Sequence, residues 1–162
     1  MKTPIRKFLE DYVNGFAQIG AGDCCPIEQV ILASCTVETD DAITLEKLCE
    51  PKGCFTNAGS LAVAQSEQYE YAEGFVLLDD MPIAIHHGWL MDRFSNQVVE
   101  TTLDLTDRTA WYMGVRFPDT QYTEEVCKWG YWGLFDGATG VNVELLNRLC
   151  PGVISNDKST AE

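Results

Sequence analysis

The feature that most constrains this fold is a block of four short apolar runs between residues 69 and 117. The first two runs alternate apolar and polar side chains, as strands do because successive side chains point to opposite faces of a sheet. The last two are rich in β-branched or aromatic residues, which also favour strands. Only short links separate the runs, so we expect a mainly antiparallel sheet. The four predicted strands cover residues 69–77, 83–91, 98–103 and 110–117.

Helical patterns lie on both sides of this block. Residues 4–14 begin with a proline, which suits a first helical turn, and repeat apolar side chains at helical spacing. Residues 40–50 begin with aspartates that can cap a helix, and Pro51 and Gly53 would end it. Helices are also predicted at residues 54–65, 123–129 and 141–149, whereas residues 27–33 fit a helix or a strand. The order of elements predicts an α+β fold in which an antiparallel β-sheet packs against helices.

The chain length fits a single domain. Its 162 residues are 46% hydrophobic, which is enough to form a core. A polar segment follows the helix-breaking pair Pro151 and Gly152. We therefore expect one domain over residues 1–154 and a flexible C-terminal tail over residues 155–162.

The acidic balance of the sequence limits the classes of partner. With 25 acidic and 11 basic residues the formal net charge is -14, which disfavours binding to nucleic acid or to anionic membranes. Attraction to a basic protein partner stays open. No segment reaches about 18 uninterrupted apolar residues, and charged residues interrupt the N-terminal segment where a signal peptide would be apolar. We expect a cytoplasmic protein.

Cys54 is the cysteine whose surroundings predict reactivity. It follows Gly53 at the predicted start of a helix, where backbone N–H groups and the helix dipole favour a thiolate. The alternative is a buried structural cysteine. The odd number of cysteines and the lack of a C-x-x-C spacing argue against a disulfide framework and against a zinc site. We therefore expect reduced thiols. The seven cysteines are Cys24, Cys25, Cys35, Cys49, Cys54, Cys127 and Cys150.

The chain has two histidines, and they are adjacent. On a strand His86 and His87 point to opposite faces, which argues against a shared metal ion. His87 shares its face with Trp89 and other large apolar residues, and we expect this face to pack against the helices. His87 is therefore predicted to point toward Cys54 as its base, while His86 faces away.

Glu100 is the predicted third member of the site. If residues 92–95 form a four-residue loop, Met91 lies opposite Asn96 and His87 lies opposite Glu100, close enough for a carboxylate–imidazole hydrogen bond. A thiol, a base and a group that orients the base are the requirements of nucleophilic catalysis. Glu100 could instead be an exposed strand residue. Three other residues could take its place: Asp92, Asn96 and Asp104.

These motifs resemble those of the papain-like and transglutaminase-like cysteine superfamily, in which a helix headed by cysteine meets a sheet that carries a histidine and then an acidic or amide residue. The transglutaminase-like branch typically has H-A-W and D-P-T, where this chain has the segments 87–89, His-Gly-Trp, and 100–102, Glu-Thr-Thr. The resemblance implies a papain-like or transglutaminase-like core and a triad of Cys54, His87 and Glu100.

Residues 54–117 also resemble small uncharacterised bacterial and phage proteins. The shared patterns are C-F-x-N-A at residues 54–58, Y-x-E-G at 71–74, a histidine hairpin at 87–100 and Y-x-G-V-x-F at 112–117. The resemblance to the cysteine superfamily implies thiolate attack on an acyl carbon, and thus hydrolysis, deamidation or transamidation of a peptide, protein or small amide. No cofactor is expected, because phosphate-loop and dinucleotide motifs are absent. No metal ion is expected, because four ligands at the usual zinc spacing do not appear.

Other parts of the predicted site are less specified by the sequence. The backbone N–H of Cys54 is a candidate oxyanion donor, and no second donor is identified. Asn57, one turn along the helix, could contact the site or serve packing, and Trp89 is expected to cover the thiol and imidazole from water. Tyr112, Trp111 and residues 129–132 could line a pocket or belong to the core. The alternative function is an acidic interaction or inhibitor protein with an idle papain-like fold.

Overall fold

Five helices and two sheets form the part of the chain that the computed structural model describes, residues 2–21, 24–137 and 140–151. The helices are α1 (Pro4–Gln18), α2 (Pro26–Ser34), α3 (Cys54–Ala64), α4 (Asp119–Trp129) and α5 (Val143–Leu149). The strands are β1 (Val37–Thr39), β2 (Ala42–Thr44), β3 (Tyr69–Leu78), β4 (Ile85–Asp92), β5 (Val98–Glu100), β6 (Ala110–Phe117), β7 (Asp136–Gly137) and β8 (Gly140–Val141). The predicted tail at residues 155–162 lies outside the described residues. Among these helices, none combines the length and the apolar character needed to span a bilayer.

The larger sheet has six strands in the order β1-β6-β3-β4-β5-β2. Every neighbouring pair is antiparallel except β2 and β5, which are parallel. The long strands β3, β4 and β6 form its centre. The fold is thus mixed α and β with a mainly antiparallel sheet, as the order of elements predicted.

The N-terminal helices begin where their sequences favour a start. The Thr3 side chain accepts a hydrogen bond from the N–H of Arg6, and Pro4 occupies the first turn of α1. Residues 27–33, which fit either element, are helical and belong to α2. Ile5 of α1 and Ile31 of α2 are fully buried in the core beneath the sheet.

The predicted helix at residues 40–50 is wrong. The segment instead forms β2 and then an irregular stretch that follows the edge of the sheet. The N–H of Leu45 donates to the carbonyl of Glu100 at 3.0 Å, and the N–H of Cys49 donates to that of Thr101 at 2.8 Å. Pairing with β5 therefore outweighs the local capping signal of the aspartates, because it satisfies backbone groups that an edge strand leaves open.

Both faces of the curled sheet are apolar. One face, with Leu90 and Val99, packs against the helices. The other carries Trp89 and Tyr112 and is closed by loop residues such as Leu103. The prediction that the Trp89 face packs against the helices is therefore wrong: alternation separates two faces, but it does not say which element covers each.

The predicted pairing of β4 with β5 is also wrong by two residues. Met91 lies opposite Val98 and Leu90 opposite Val99, so the connection is longer than four residues. The Asp92 carboxylate holds this turn by accepting hydrogen bonds from the next backbone N–H groups, and Asn96 adopts a left-handed backbone with φ 58°. A shift of two residues keeps every side chain on its predicted face, whereas a shift of one would reverse it.

Candidate active site

His87 and Glu100 form a buried pair on the face of the sheet opposite the helices. Continuing the observed register places Glu100 opposite Trp89, so the pair is diagonal across the two strands. Long side chains can meet across such a diagonal. His87 Nε2 lies 2.9 Å from Glu100 Oε2, and both residues are almost fully excluded from solvent.

Glu100 is saturated with hydrogen bonds. Its Oε2 also accepts from the Tyr112 hydroxyl at 2.8 Å. Its Oε1 accepts from three consecutive backbone N–H groups at 2.8, 2.8 and 3.0 Å, those of Thr101, Thr102 and Leu103. Burial raises the pKa of Glu100, but the hydrogen bond and charge of His87 and these backbone donors outweigh it, so the pKa is lowered. The side chain is thus held as a carboxylate.

The three alternative partners of His87 are engaged elsewhere. Asp92 and Asp104 each accept a hydrogen bond from the backbone N–H two residues further along, as turn aspartates do. Asn96 accepts one from Arg116 at 2.7 Å. Glu100 is the acidic residue that the structure places against the His87 ring.

Cys54 lies at the first position of α3 and is half-buried. Its thiol is hydrogen-bonded to His87, and the backbone N–H groups of Gly88 and Phe55 also contact the sulfur. Burial raises the pKa of Cys54. The hydrogen bond and charge of His87 and the two backbone donors lower it by more than burial raises it, so the pKa of Cys54 is below its ordinary value. This arrangement favours a thiolate.

The His87 ring lies between the thiol and the carboxylate. Because Nε2 contacts Glu100, Nδ1 is the ring nitrogen left to face Cys54. Burial lowers the pKa of His87, but hydrogen bonds to Cys54 and Glu100 and their negative charges raise it to about 9. The lowered pKa of Cys54 and the raised pKa of His87 both favour an ion pair of thiolate and imidazolium.

Gly88 allows α3 to approach the sheet at this point. A Cβ atom at residue 88 would lie 2.9 Å from the Tyr71 hydroxyl and 3.0 Å from the Phe55 ring. Phe55 directly follows Cys54, so any residue larger than glycine would press against the first turn of α3.

Asn57 connects the start of α3 to the segment that holds Glu100. Its side-chain amide donates to the carbonyl of Glu50 at 2.7 Å and to the Thr102 hydroxyl at 3.0 Å. Thr102 in turn donates its backbone N–H to Glu100. Asn57 thus serves to hold two parts of the site together.

Trp89 and Tyr112 form the enclosure of the His87 ring. The Trp89 ring is fully buried and lies nearly parallel to His87, with centroids 6.4 Å apart and an interplanar angle of 18°. Tyr112 packs edge-on against Trp89 at 5.2 Å. Tyr112 belongs to the core, one of the two alternatives that the sequence left open, and its hydroxyl also contacts Glu100.

A second histidine–glutamate pair lies on the helix side of β4 and was not predicted. His86 Nε2 lies 3.0 Å from Glu73 Oε1, outside hydrogen-bond geometry. The fully buried Glu73 carboxylate accepts from the Tyr71 hydroxyl at 2.8 Å and from the N–H groups of Leu134 and Phe135 at 2.6 and 3.0 Å. The Y-x-E-G pattern was the available signal. Glu73 anchors the segment that follows α4 to the sheet.

A cavity of about 360 Å³, here called the Trp132 cavity, opens at the start of α3, at the two residues that follow Cys54. Its walls include Phe55, Thr56, His86, Tyr131, Trp132 and Asp136. Another cavity of about 370 Å³ lies between α3 and α4 and is lined by residues such as Ser66 and Asp119, away from the site residues. Within the described ranges, no group of three or more histidine, cysteine or acidic residues could hold a metal ion.

Comparisons with known proteins identify no relative of this chain. No family model matches the chain, and neither the curated proteins nor the solved structures searched include a similar one. The interpretation of the site therefore depends on its own geometry.

Proposed function

We propose that this chain is a cysteine-dependent acyl-transfer enzyme that acts on a peptide or small amide. Cys54 is the nucleophile, His87 is the base and Glu100 orients the imidazole. The observation that supports this most directly is the continuous hydrogen-bonded series from the Cys54 thiol through the His87 ring to the Glu100 carboxylate. The helix headed by cysteine and the histidine and acid on a sheet also support a papain-like or transglutaminase-like core.

The proposed reaction has two steps. In the first, the Cys54 thiolate attacks the carbonyl carbon, a C–S bond forms, and the C–N bond breaks as His87 Nδ1 gives its proton to the departing amine. In the second, His87 takes a proton from water, the resulting hydroxide attacks the thioester, and the acid leaves as the thiolate is restored. An amine in place of water gives transamidation, and release of ammonia from a side-chain amide gives deamidation.

The oxyanion formed in each step requires hydrogen-bond donors. Cys54 lies in the first turn of α3, where backbone N–H groups have no partner within the helix. Its own N–H is the proposed donor, in line with the expectation from the sequence. The helix dipole adds a favourable field at the same place.

The alternative is an acidic interaction or inhibitor protein whose site is idle. The net charge of -14 favours this class, because it would attract a basic protein surface. The two functions differ in one measurable property. An idle thiol has no need of His87, whereas a nucleophile depends on it for ionisation.

Site-resolved alkylation with iodoacetamide tests the proposal. We expect Cys54 to react faster than the exposed Cys127 of the same molecule at pH values below neutrality. His87→Ala should slow Cys54 by at least about tenfold, the effect of one pKa unit, and leave Cys127 unchanged. Quantitative peptide mass spectrometry measures both rates in one sample, and near-UV circular dichroism checks the fold.

Equal alkylation of Cys54 in the wild type and in His87→Ala would contradict the catalytic proposal. A second contradiction would be failure of Cys54 to form an adduct with any activated acyl probe between about pH 6 and pH 9, a range on both sides of the neutral pH at which general acids and bases commonly act.

A further inference from the structure

The walls of the Trp132 cavity include the residues next in sequence to both reacting groups, Phe55 and His86. Phe55 follows Cys54, and its N–H contacts the sulfur. His86 precedes His87, and its ring packs against that of Phe55 with centroids 5.0 Å apart. A substrate whose carbonyl carbon meets the Cys54 sulfur can therefore place a neighbouring side chain in this cavity.

Aromatic rings dominate the walls. Phe55, Tyr131 and Trp132 come from the start of α3 and from the segment after α4. The volume of about 360 Å³ falls within the range of small-molecule sites. Such walls bind flat or cationic groups, because the faces of aromatic rings carry negative potential.

Two carboxylates are close to the cavity, and they differ in availability. Glu73 lies behind His86, but its oxygens already accept three hydrogen bonds and it is fully buried. Asp136 is a wall residue and is exposed to solvent. Asp136 is therefore the negative charge that a bound group can meet, and the overall charge of -14 favours the approach of a cation.

We infer that the Trp132 cavity binds a basic side chain, arginine above all, of the acyl portion of the substrate. The guanidinium group is planar, stacks on aromatic rings and pairs with a carboxylate through two parallel donors. This inference rests on the proposed function, since it names the substrate class of the same site. It makes the chain selective for arginine next to the bond that Cys54 attacks.

Two matched affinity labels test the inference. One is a diarginyl chloromethyl ketone, and the other carries citrulline, which has nearly the same shape without the charge, at both positions. Both alkylate Cys54 by displacing chloride, and iodoacetamide serves as a reagent with no side chain to recognise. We expect the arginine label to alkylate Cys54 about tenfold faster than the citrulline label, as one ion pair and one cation–π contact would give.

Asp136→Asn should reduce this ratio to within about threefold of unity, since the ion pair is lost, and the iodoacetamide rate of each variant is measured alongside as the reference. Asp11→Asn is the matched control, because it removes the same charge from an exposed position on α1 and should keep the full ratio. Both changes are on the surface, so the variants should fold.

The outcomes separate the inference from the function on which it rests. Equal rates for the two labels, or a full preference for arginine that persists in Asp136→Asn, would overturn the inference while rapid iodoacetamide alkylation of Cys54 upholds the nucleophile. If Cys54 reacts no faster than Cys127 with all three reagents, the inference and the proposed function both fail.

Discussion

Tyr112 donates its hydroxyl hydrogen to the same Glu100 oxygen that contacts His87, at 2.8 Å on one side and 2.9 Å on the other. The tyrosine is fully buried, and it shares its face of the sheet with Trp89. Glu100 Oε2 is therefore fixed between two partners, so the carboxylate cannot rotate without breaking one of these bonds.

We predict that Tyr112→Phe destabilises the protein by about 1.5–3 kcal/mol, the usual loss for a hydrogen bond to a charged group. The ring remains in place, so packing changes little. Urea unfolding measures the change. Tyr69→Phe is the control, because the Tyr69 hydroxyl contacts the exposed side chain of Gln68 and should contribute little. A loss no larger than that of the control would show that Tyr112 does not hold Glu100.

Glu100→Gln should shift the pH dependence of Cys54 alkylation upward. Without the carboxylate the imidazolium of His87 loses a stabilising charge, its pKa of about 9 falls, and the thiolate that depends on it is less favoured. The rate near pH 6 should drop about tenfold or more. Glu70→Gln on β3 is the control, because Glu70 pairs with Arg93 and Arg116 instead. An unchanged pH profile in Glu100→Gln would contradict the proposed role.

The same variant tests a linkage between pH and stability. The folded-state pKa of Glu100 lies below the ordinary value of 4.5, so its charged form contributes stability that is present above pH 4.5. This contribution is lost as the pH falls through the lowered pKa. The stability difference between wild type and Glu100→Gln should therefore shrink as the pH falls below 4.5, which urea unfolding at several pH values would measure. A difference that stays constant would show that the pKa is not lowered.

Gly88→Ala should displace the first turn of α3. We expect it to destabilise the protein by about 1–3 kcal/mol and to slow alkylation of Cys54. The added methyl group would press on Phe55 and on the Tyr71 hydroxyl. Gly15→Ala is the matched control: its position within α1 has open space around it, and alanine there should stabilise the helix by about 0.5–1 kcal/mol. Thermal unfolding and iodoacetamide kinetics measure both effects. Wild-type reactivity in Gly88→Ala would contradict the importance of this close approach.

Local patterns were sufficient for much of the fold. The start of α3 at Cys54 and the extent of β6 follow from the turn at Gly53 and from a run of strand-forming residues. The helix predicted at residues 40–50 was wrong because the backbone partners of this segment lie on β5 and at the residue after it, more than fifty positions away, and no local signal reports such pairing. Long-range hydrogen bonds therefore set the limit of the prediction.

The site residues were predicted partly from a strand register and a packing face that differ from the observed ones. His87 and Glu100 meet diagonally, not directly opposite, and they meet because a shift of two residues preserves the face. His87 reaches Cys54 although the helices cover the other face of the sheet, since α3 begins at the strand itself, against Gly88. Tyr112 and Glu73 were missed as partners, because the sequence does not show which buried hydroxyls and backbone donors converge on a carboxylate.

Glu100 has two tasks that depend on the length of its side chain. Oε1 closes the turn over residues 101–103, and Oε2 reaches His87 and Tyr112. Folding of the turn and placement of the acid are consequently one event, so a chain with an unformed turn has no oriented imidazole. Aspartate is shorter by one methylene, so at the same backbone position its oxygens would lie farther from His87 and Tyr112. The length of the Glu100 side chain is therefore matched to the turn that follows it.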